Sequence, residues 1–221
     1  MNFIFTRTLA LILNILVFST LNGFDFVEAL AQSNSVKFSH KEKRIVVLGD
    51  SIAAGYGVAK KEAYPAILES LLKDRGYLVK VVNAGISGST TASASGRLKW
   101  QLRDHIDILL LELGGNDGLR GLAIKATKEN LIKVITTARE NQIKVLLAGM
   151  KLPLNYGESY QKEFSSMFTQ VAKEMKVSIM PFLLAEVGGK REFHIGDGIH
   201  PNEKGHRKIA HNLLPYIEKL L

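Results

Sequence analysis

The chain has 221 residues, 46% of them hydrophobic and 23% charged, which is the content of an ordinary globular domain with a sizeable core. It contains no cysteine, and this excludes a disulfide framework, a thiol nucleophile, a thiolate metal site and a lipid-modified cysteine at the cleavage site of a leader. The net charge is +8, but the basic residues are dispersed and lack aromatic stacking partners. We therefore predict a solvated basic surface and no nucleic-acid partner. Contact with anionic membrane lipid is expected to be transient at most.

Residues 1–31 have the pattern of a secretory signal. Arg7 precedes an apolar run from Leu9 to Phe18, and the small-residue sequence Ala29-Leu30-Ala31 follows. An uncleaved membrane anchor is the alternative, but the run is shorter than the roughly 20 residues that a spanning helix needs. We therefore expect a cleaved signal peptide, a mature chain that starts at Gln32, and export to the periplasm or secretion.

The next residues, 32–43, are rich in Ser, Asn and Lys and predict a flexible lead-in to a single domain over residues 44–221. Short apolar runs rich in β-branched residues recur along that domain and predict buried parallel strands. These runs are Ile45 to Leu48, Leu78 to Val82, Ile108 to Leu113, Val145 to Ala148 and Val177 to Met180.

Segments with helical period lie between the predicted strands. Single residues predict three helix starts, with Thr127 and Asn202 as N-caps and Pro65 in a first turn. Pro215 is expected to kink or split the last helix. The apolar positions at helical spacing are Leu131, Val134, Ile135 and Ala138 in one helix and Tyr160, Phe164, Phe168, Val171 and Met175 in another.

Strands that alternate with helices predict an α/β fold, a three-layer α/β/α flavodoxin-like sandwich around a central parallel sheet of about five strands. Binding groups in such folds gather at the carboxyl ends of the strands, so that edge is where chemistry is expected. A nucleotide-binding protein of this fold is disfavoured, because no phosphate-binding glycine motif follows the first strand.

Ser51 follows the first predicted strand within Gly49-Asp50-Ser51. A serine on a strand-to-helix turn exposes its hydroxyl above the sheet, with backbone N–H groups nearby to receive an oxyanion. The same residue types are common in ordinary turns, so the tripeptide is weak evidence by itself. After the second strand, Gly85 and Gly88 each offer a backbone N–H that no side chain obstructs.

Two further candidate catalytic groups follow later in the chain, at Asn116 and at the pair Asp197 and His200. Asn116, after the third strand, could donate its side-chain amide to an oxyanion. Asp197 and His200 lie three residues apart, so the carboxylate could orient the imidazole as a general base. The remaining histidines are interpreted as capping or surface residues: His40, His105, His194, His206 and His211.

Together these residues carry the block pattern of the SGNH, or GDSL, hydrolases, and the resemblance covers roughly residues 44–214. Within that family the chain looks most like the bacterial periplasmic acyl-CoA thioesterase, lysophospholipase and arylesterase group, because the matching stretches extend beyond the minimal blocks. Those stretches are Leu48-Gly49-Asp50-Ser51, Glu112 to Gly121, Leu152-Pro153-x-Asn155-Tyr156-Gly157, and Asp197 to Asn202.

The resemblance implies a role for each matching residue. Ser51 would be the nucleophile, His200 the base and Asp197 the residue that orients it. The oxyanion donors would be the Ser51 N–H, Asn116 and a glycine. Alignment on Asn83 and Ile86-Ser87-Gly88 selects Gly88, whereas a looser family pattern could select Gly85.

The function implied is a serine esterase, thioesterase or lysophospholipase that forms an acyl-serine intermediate, without a cofactor or metal and as a monomer. Acyl thioesters, lysophospholipids and short aryl esters are the expected substrates. Leu152, Pro153 and Tyr156 are expected to line an acyl groove, unless they only turn the chain after the fourth strand. Two other functions stay open: an O-acetyl esterase of cell-envelope polysaccharide, and an exported binding module without catalysis.

Overall fold

Five parallel strands form the centre of the computed structural model, which describes residues 41–221. The predicted signal peptide and nearly all of the lead-in lie outside the described residues. The order across the sheet is β2-β1-β3-β4-β5. In chain order the strands are β1 (Lys43–Gly49), β2 (Val79–Asn83), β3 (Ile108–Glu112), β4 (Lys144–Ala148) and β5 (Ser178–Met180).

Helices cover the sheet as the alternating pattern predicted, and the fold is a three-layer α/β/α sandwich. The helices are α1 (Ser51–Ala54), α2 (Tyr64–Asp74), α3 (Ala94–Gln101), α4 (Gly115–Leu119), α5 (Ile124–Glu140), α6 (Glu158–Met175) and α7 (Glu203–Glu218). Helix α2 packs on α7, while α5 packs on both α3 and α6. Within residues 41–221, no helix is both long enough and apolar enough to cross a membrane.

The central strand, β3, shows why apolar runs in the sequence predicted this sheet. Every residue of β3 is buried, since helices cover both of its faces. Its four aliphatic side chains, from Ile108 to Leu111, each contribute about 1.5–3 kcal/mol through burial. The fifth residue, Glu112, is an acid buried at the carboxyl end of the strand.

The predicted helix ends have mixed outcomes. Asn202 caps α7, because its side chain accepts the N–H of Gly205 at 3.1 Å, and Pro65 lies in the first turn of α2. Thr127 is not an N-cap, since α5 begins at Ile124 and the Thr127 hydroxyl lies 3.4 Å from the carbonyl oxygen of Ala123, one turn earlier.

Helix α7 runs through Pro215 without a break, so the predicted split is wrong. Proline removes one backbone hydrogen bond from a helix interior. The apolar side chains around it, Leu213, Leu214 and Ile217, are buried in the core, and their packing keeps the last turn helical.

The strand register brings three loops to one edge of the sheet. Gly49 at the end of β1 pairs with Glu112 at the end of β3, and Asn83 at the end of β2 pairs with Val47. The loops that follow β1, β2 and β3 therefore meet beside one another. These loops carry the serine, the two glycines and the asparagine singled out in the sequence.

Candidate active site

The turn between β1 and α1 carries Ser51 as the first residue of the helix. Asp50 caps this helix, because its Oδ1 accepts the backbone N–H of Ile52 at 3.0 Å. Gly55 ends the helix with a left-handed φ of +77°, a conformation that glycine adopts without steric penalty. The result is a sharp strand-to-helix turn that holds Ser51 at the carboxyl edge of the sheet.

His200 and Asp197 approach Ser51 from the loop before α7. The Nε2 atom of His200 lies 2.9 Å from the Oγ of Ser51, and its Nδ1 lies 2.6 Å from Oδ2 of Asp197. Tyr56 adds an aromatic ring whose centroid is 4.6 Å from that of the imidazole. The fold thus brings together a serine and a histidine that are 149 positions apart in the chain.

The charge of Asp197 determines the direction of these hydrogen bonds. Burial would raise the pKa of this carboxyl, but hydrogen bonds from the His200 ring and from the N–H groups of His200 and Ile199 lower the pKa to about 2. The ionised carboxylate can only accept, so Nδ1 of His200 donates to it. Nε2 is then free to accept the hydroxyl proton of Ser51.

Asn202 anchors the loop that carries this pair. Its Nδ2 donates to the carbonyl oxygens of Glu192 at 2.9 Å and His194 at 3.2 Å, while its Oδ1 caps α7. An isolated β-bridge between His194 and Pro201 closes the base of the same loop. The position of His200 is therefore tied to a long helix rather than left to a free loop.

Asn116 lies in the first turn of α4, at the carboxyl end of β3. Its Nδ2 donates to the carbonyl oxygen of Ser89 at 3.0 Å and to Oδ2 of Asp50 at 3.3 Å. Asp50 therefore contacts both the helix that carries Ser51 and the amide of Asn116. One carboxylate couples the orientation of the two groups.

The loop after β2 distinguishes Gly85 from Gly88. The N–H of Gly85 already donates to Oδ1 of Asn83 at 2.9 Å, and a Cβ at Gly85 would lie 2.3 Å from the backbone nitrogen of Ala54. Gly85 thus permits close packing against α1. Gly88 has a φ of +76°, and its N–H donates no hydrogen bond to any group in residues 41–221. Of the two, the Gly88 N–H is the one available to a ligand.

Two of the three residues expected to line a groove, Leu152 and Tyr156, lie against α4. The side chain of Leu152 is buried close to Gly118, and the hydroxyl of Tyr156 donates to the carbonyl oxygen of Leu119 at 3.0 Å. Pro153 is exposed. The segment therefore packs on the helix that carries Asn116.

Sequence reasoning missed two arginines that hold the site loops. Arg97 donates to the carbonyl oxygens of Gly49 at 2.7 Å and of Ala84, which joins the ends of β1 and β2. Arg120 donates to the carbonyl oxygen of Gly88 at 2.9 Å. No spacing in the sequence indicates either contact, since the arginines lie 48 and 32 positions away from Gly49 and Gly88.

Two of the histidines interpreted as capping or surface residues are buried, His194 and His206. The Nδ1 of His206 accepts the N–H of Tyr64, the first residue of α2, at 3.2 Å. Burial and the charge of His200 lower the pKa of His206 to about 4, so its ring is neutral at neutral pH. His206 does cap a helix, but from inside the core.

Comparison with known proteins identifies the family. A family model described as GDSL-like lipase/acylhydrolase matches residues 47–208. Esterase TesA of Pseudomonas aeruginosa is 40% identical over 178 residues, covering 80% of this chain and 89% of that protein. The thioesterase 1/protease 1/lysophospholipase L1 of Escherichia coli is 36% identical over 178 residues, covering 80% of this chain and 84% of that protein. A crystal structure of TesA matches with a TM-score of 0.79 at 39% identity, covering 81% of this chain and 100% of that one.

The matched range includes the residues of the candidate site, Ser51, Gly88, Asn116, Asp197 and His200. The structural match confirms the predicted α/β fold. The chain therefore belongs to the GDSL-like lipase/acylhydrolase family, the SGNH hydrolases that its sequence blocks resemble, and it is an ester hydrolase.

Proposed function

We propose that Ser51 is the nucleophile of an exported esterase and thioesterase, that His200 is its general base, and that Asp197 orients His200. The observation that carries this proposal is the continuous series of contacts from Ser51 Oγ to His200 Nε2 at 2.9 Å and from His200 Nδ1 to Asp197 at 2.6 Å. A serine, a histidine and a carboxylate connected in this order form a catalytic triad for acyl transfer.

The proposed reaction has two halves. His200 takes the hydroxyl proton as Ser51 Oγ attacks the carbonyl carbon, and the protonated imidazole then donates to the departing alcohol or thiol. Water then attacks the acyl-serine with His200 again as base. The bond between the acyl carbon and Ser51 Oγ breaks, His200 returns the proton to Oγ, and the carboxylic acid leaves. Asp197 stays ionised throughout and stabilises the imidazolium, which fits its lowered pKa of about 2.

The proposed oxyanion donors are the backbone N–H groups of Ser51 and Gly88 and the Asn116 amide. Gly88 is preferred to Gly85 because the Gly85 N–H is held by Asn83. The Asn116 amide keeps its 3.0 Å bond to Ser89 and would exchange its longer, 3.3 Å bond to Asp50 for the oxyanion. Donors fixed in this way stabilise negative charge as it develops.

We propose acyl thioesters, lysophospholipids and short aryl esters as substrates, with the acyl chain directed along the segment of Leu152, Pro153 and Tyr156. Two relatives are named esterase and thioesterase/lysophospholipase, which supports this substrate class. Tyr156 is half-buried beside the helix that carries Asn116, so its ring could border the path of a chain that leaves the reacting carbonyl.

A panel of substrates tests this assignment. We expect purified protein to hydrolyse p-nitrophenyl esters and acyl-CoA thioesters from acetyl to palmitoyl, and Tyr156→Ala to lower kcat/KM about tenfold for long chains only. Tyr156→Phe is the matched control, because it keeps the ring and loses only the hydroxyl bond to Leu119. A profile limited to acetyl esters would contradict the acyl path. If the protein releases acetate from acetylated polysaccharide and hydrolyses no other substrate, the O-acetyl esterase function is favoured instead.

The surface around Ser51 supports a monomer in transient contact with anionic lipid. Tyr56, Ile86 and Ile199 are exposed although they are large and apolar. All three are close to the site, since Tyr56 and Ile199 adjoin His200 and the Ile86 N–H donates to Gly49 at 3.2 Å.

The side chains of Ser51, Asp197 and His200 come from one chain, so a second copy is not needed to complete the site.

Basic side chains lie beside this apolar rim. Lys60 lines a cavity of about 440 Å³ with Ala54 and Gly85, and Arg120 contacts Gly88. Positive groups around an apolar rim favour a negatively charged lipid surface. In the substrate panel, lysophospholipid in anionic mixed micelles should therefore be hydrolysed faster than in zwitterionic ones, and addition of salt should remove the difference. Equal rates at low salt would rule out this contact.

Export is proposed from the leader pattern of residues 1–31, which lie outside the described residues. We also propose that residues 44–221 form the single catalytic domain. The mass of the mature protein, after expression of the full chain in a bacterium, should correspond to a start at Gln32. A mass that still includes the leader would favour a retained anchor.

A further inference from the structure

Glu112 lies directly beneath the nucleophile turn. It is the last residue of β3 and the register partner of Gly49, the last residue of β1. Its side chain is fully buried, and its Oε2 lies 2.1 Å from where a Cβ of Gly49 would be. The absent side chain of Gly49 thus makes the space that the Glu112 carboxyl fills. This acid has no place in the reaction described above.

Hydrogen bonds connect this carboxyl to the reacting groups through Asp50. Oε2 of Glu112 accepts the backbone N–H of Asp50 at 3.2 Å. The side chain of Asp50 in turn caps the helix of Ser51 through Oδ1 and, before an oxyanion forms, holds Asn116 through Oδ2. A shift of the Asp50 backbone would therefore move both the nucleophile and an oxyanion donor.

The surroundings of Glu112 keep it uncharged. Burial raises the pKa of Glu112 well above its usual range, and the negative charge of nearby Asp50 raises it further. Burial raises the pKa of Asp50 as well, but the Ile52 N–H and other partners oppose that rise. The proton therefore resides on Glu112, which offers Asp50 a hydrogen-bond acceptor without a second charge.

We propose that Glu112 is a positioning residue for this reaction: its carboxyl fixes the backbone of Asp50, and through Asp50 it aligns Ser51 with Asn116. The inference rests on the proposed roles of Ser51 and Asn116. A leucine of similar size would fill the space but leave the buried Asp50 N–H without an acceptor. Glu112 touches neither substrate nor the reacting atoms, so its effect is expected in kcat rather than in KM.

Variants at Glu112 test this with a control on the same strand. Glu112→Gln keeps the shape and an acceptor for the Asp50 N–H, so kcat should stay near that of the wild type. Glu112→Leu and Glu112→Ala should lower kcat about tenfold to a hundredfold with KM nearly unchanged. The control is Leu110→Ala, two residues earlier on the same face of β3, which should lower Tm and leave kcat unchanged.

Labelling of Ser51 by a fluorophosphonate separates failure of this inference from failure of the proposed function. Glu112 is not a positioning residue if Glu112→Leu or Glu112→Ala folds and is labelled as fast as the wild type. The same conclusion follows if folded Glu112→Gln loses as much kcat as the two apolar variants lose. If the apolar variants do not fold, Glu112→Gln still decides, since a tenfold loss of kcat in that variant would overturn the inference. If Ser51 of the wild type is not labelled, the proposed nucleophile is wrong whatever the Glu112 variants do.

Discussion

Ser51→Ala is expected to lower kcat by at least about 10⁴-fold and to abolish labelling by a fluorophosphonate. The reason is that the substitution removes the attacking oxygen and the partner of His200 Nε2 at 2.9 Å. The fold should remain intact, because Ser51 opens a helix and alanine is the residue that helices tolerate best. The cap from Asp50 to the N–H of Ile52 does not involve the serine side chain.

The measurement is kcat for a p-nitrophenyl ester, with the adduct located by mass spectrometry. Ser165→Ala in α6 is the matched control, since within residues 41–221 this helical serine hydroxyl bonds only to the carbonyl of Lys162. Asn116→Ala should give a graded loss of about a hundredfold or more, as one oxyanion donor is removed while the nucleophile remains. Unchanged turnover in folded Ser51→Ala would exclude Ser51 as the nucleophile.

Asp197→Asn is expected to lower kcat by about 10³-fold to 10⁴-fold through the tautomer of His200. The asparagine Oδ1 can still accept the N–H groups of Ile199 and His200, which lie 2.9 and 3.0 Å away in the wild type. Its Nδ2 then faces Nδ1 of His200 as a donor. The imidazole must carry its proton on Nε2 to accept that bond, and it can no longer accept the proton of Ser51.

The same kcat assay, with circular dichroism to verify folding, measures this effect. Asp104→Asn is the control, because it removes an exposed carboxylate whose one ion pair in the described part of the chain is with Arg44. The pKa of Asp197 is about 2, so the carboxylate stays ionised as pH falls to well below neutral. Protonation of Asp197 should therefore not limit wild-type activity between about pH 5 and pH 8. A loss of less than about tenfold in Asp197→Asn would show that Asp197 does not set the tautomer.

Several elements could be predicted from the sequence because their cause is local. The five strands were found to within one or two residues. The three inner strands β1, β3 and β4 are largely buried, and a strand buried on both faces is a continuous apolar run. The predicted cap at Asn202 was also right, because its side chain reaches an N–H only three residues away.

The predictions that failed depended on distant residues. The hydroxyl of Thr127 lies 3.4 Å from Asp117, a residue of another helix, and the chain before it was already helical. Pro215 does not break α7, because burial of Leu213 and Leu214 outweighs the lost hydrogen bond. The strand order is different, because it agrees with the predicted flavodoxin-like class although no local pattern in the sequence encodes pairing between distant segments.

The sequence by itself determined which residue types lie at which strand ends, and hence the family to which Ser51, Asn116, Asp197 and His200 point. These residues follow apolar runs or turn motifs that are read within a few positions. Only the tertiary structure decided what they contact. It places Nε2 of His200 beside Ser51 and Glu112 under Gly49. It also shows that the N–H of Gly85 donates to Asn83, whereas that of Gly88 has no acceptor in residues 41–221. The physical reason is that hydrogen bonds and burial depend on distance in space, which the packing of the sheet and helices sets for residues that the chain keeps far apart.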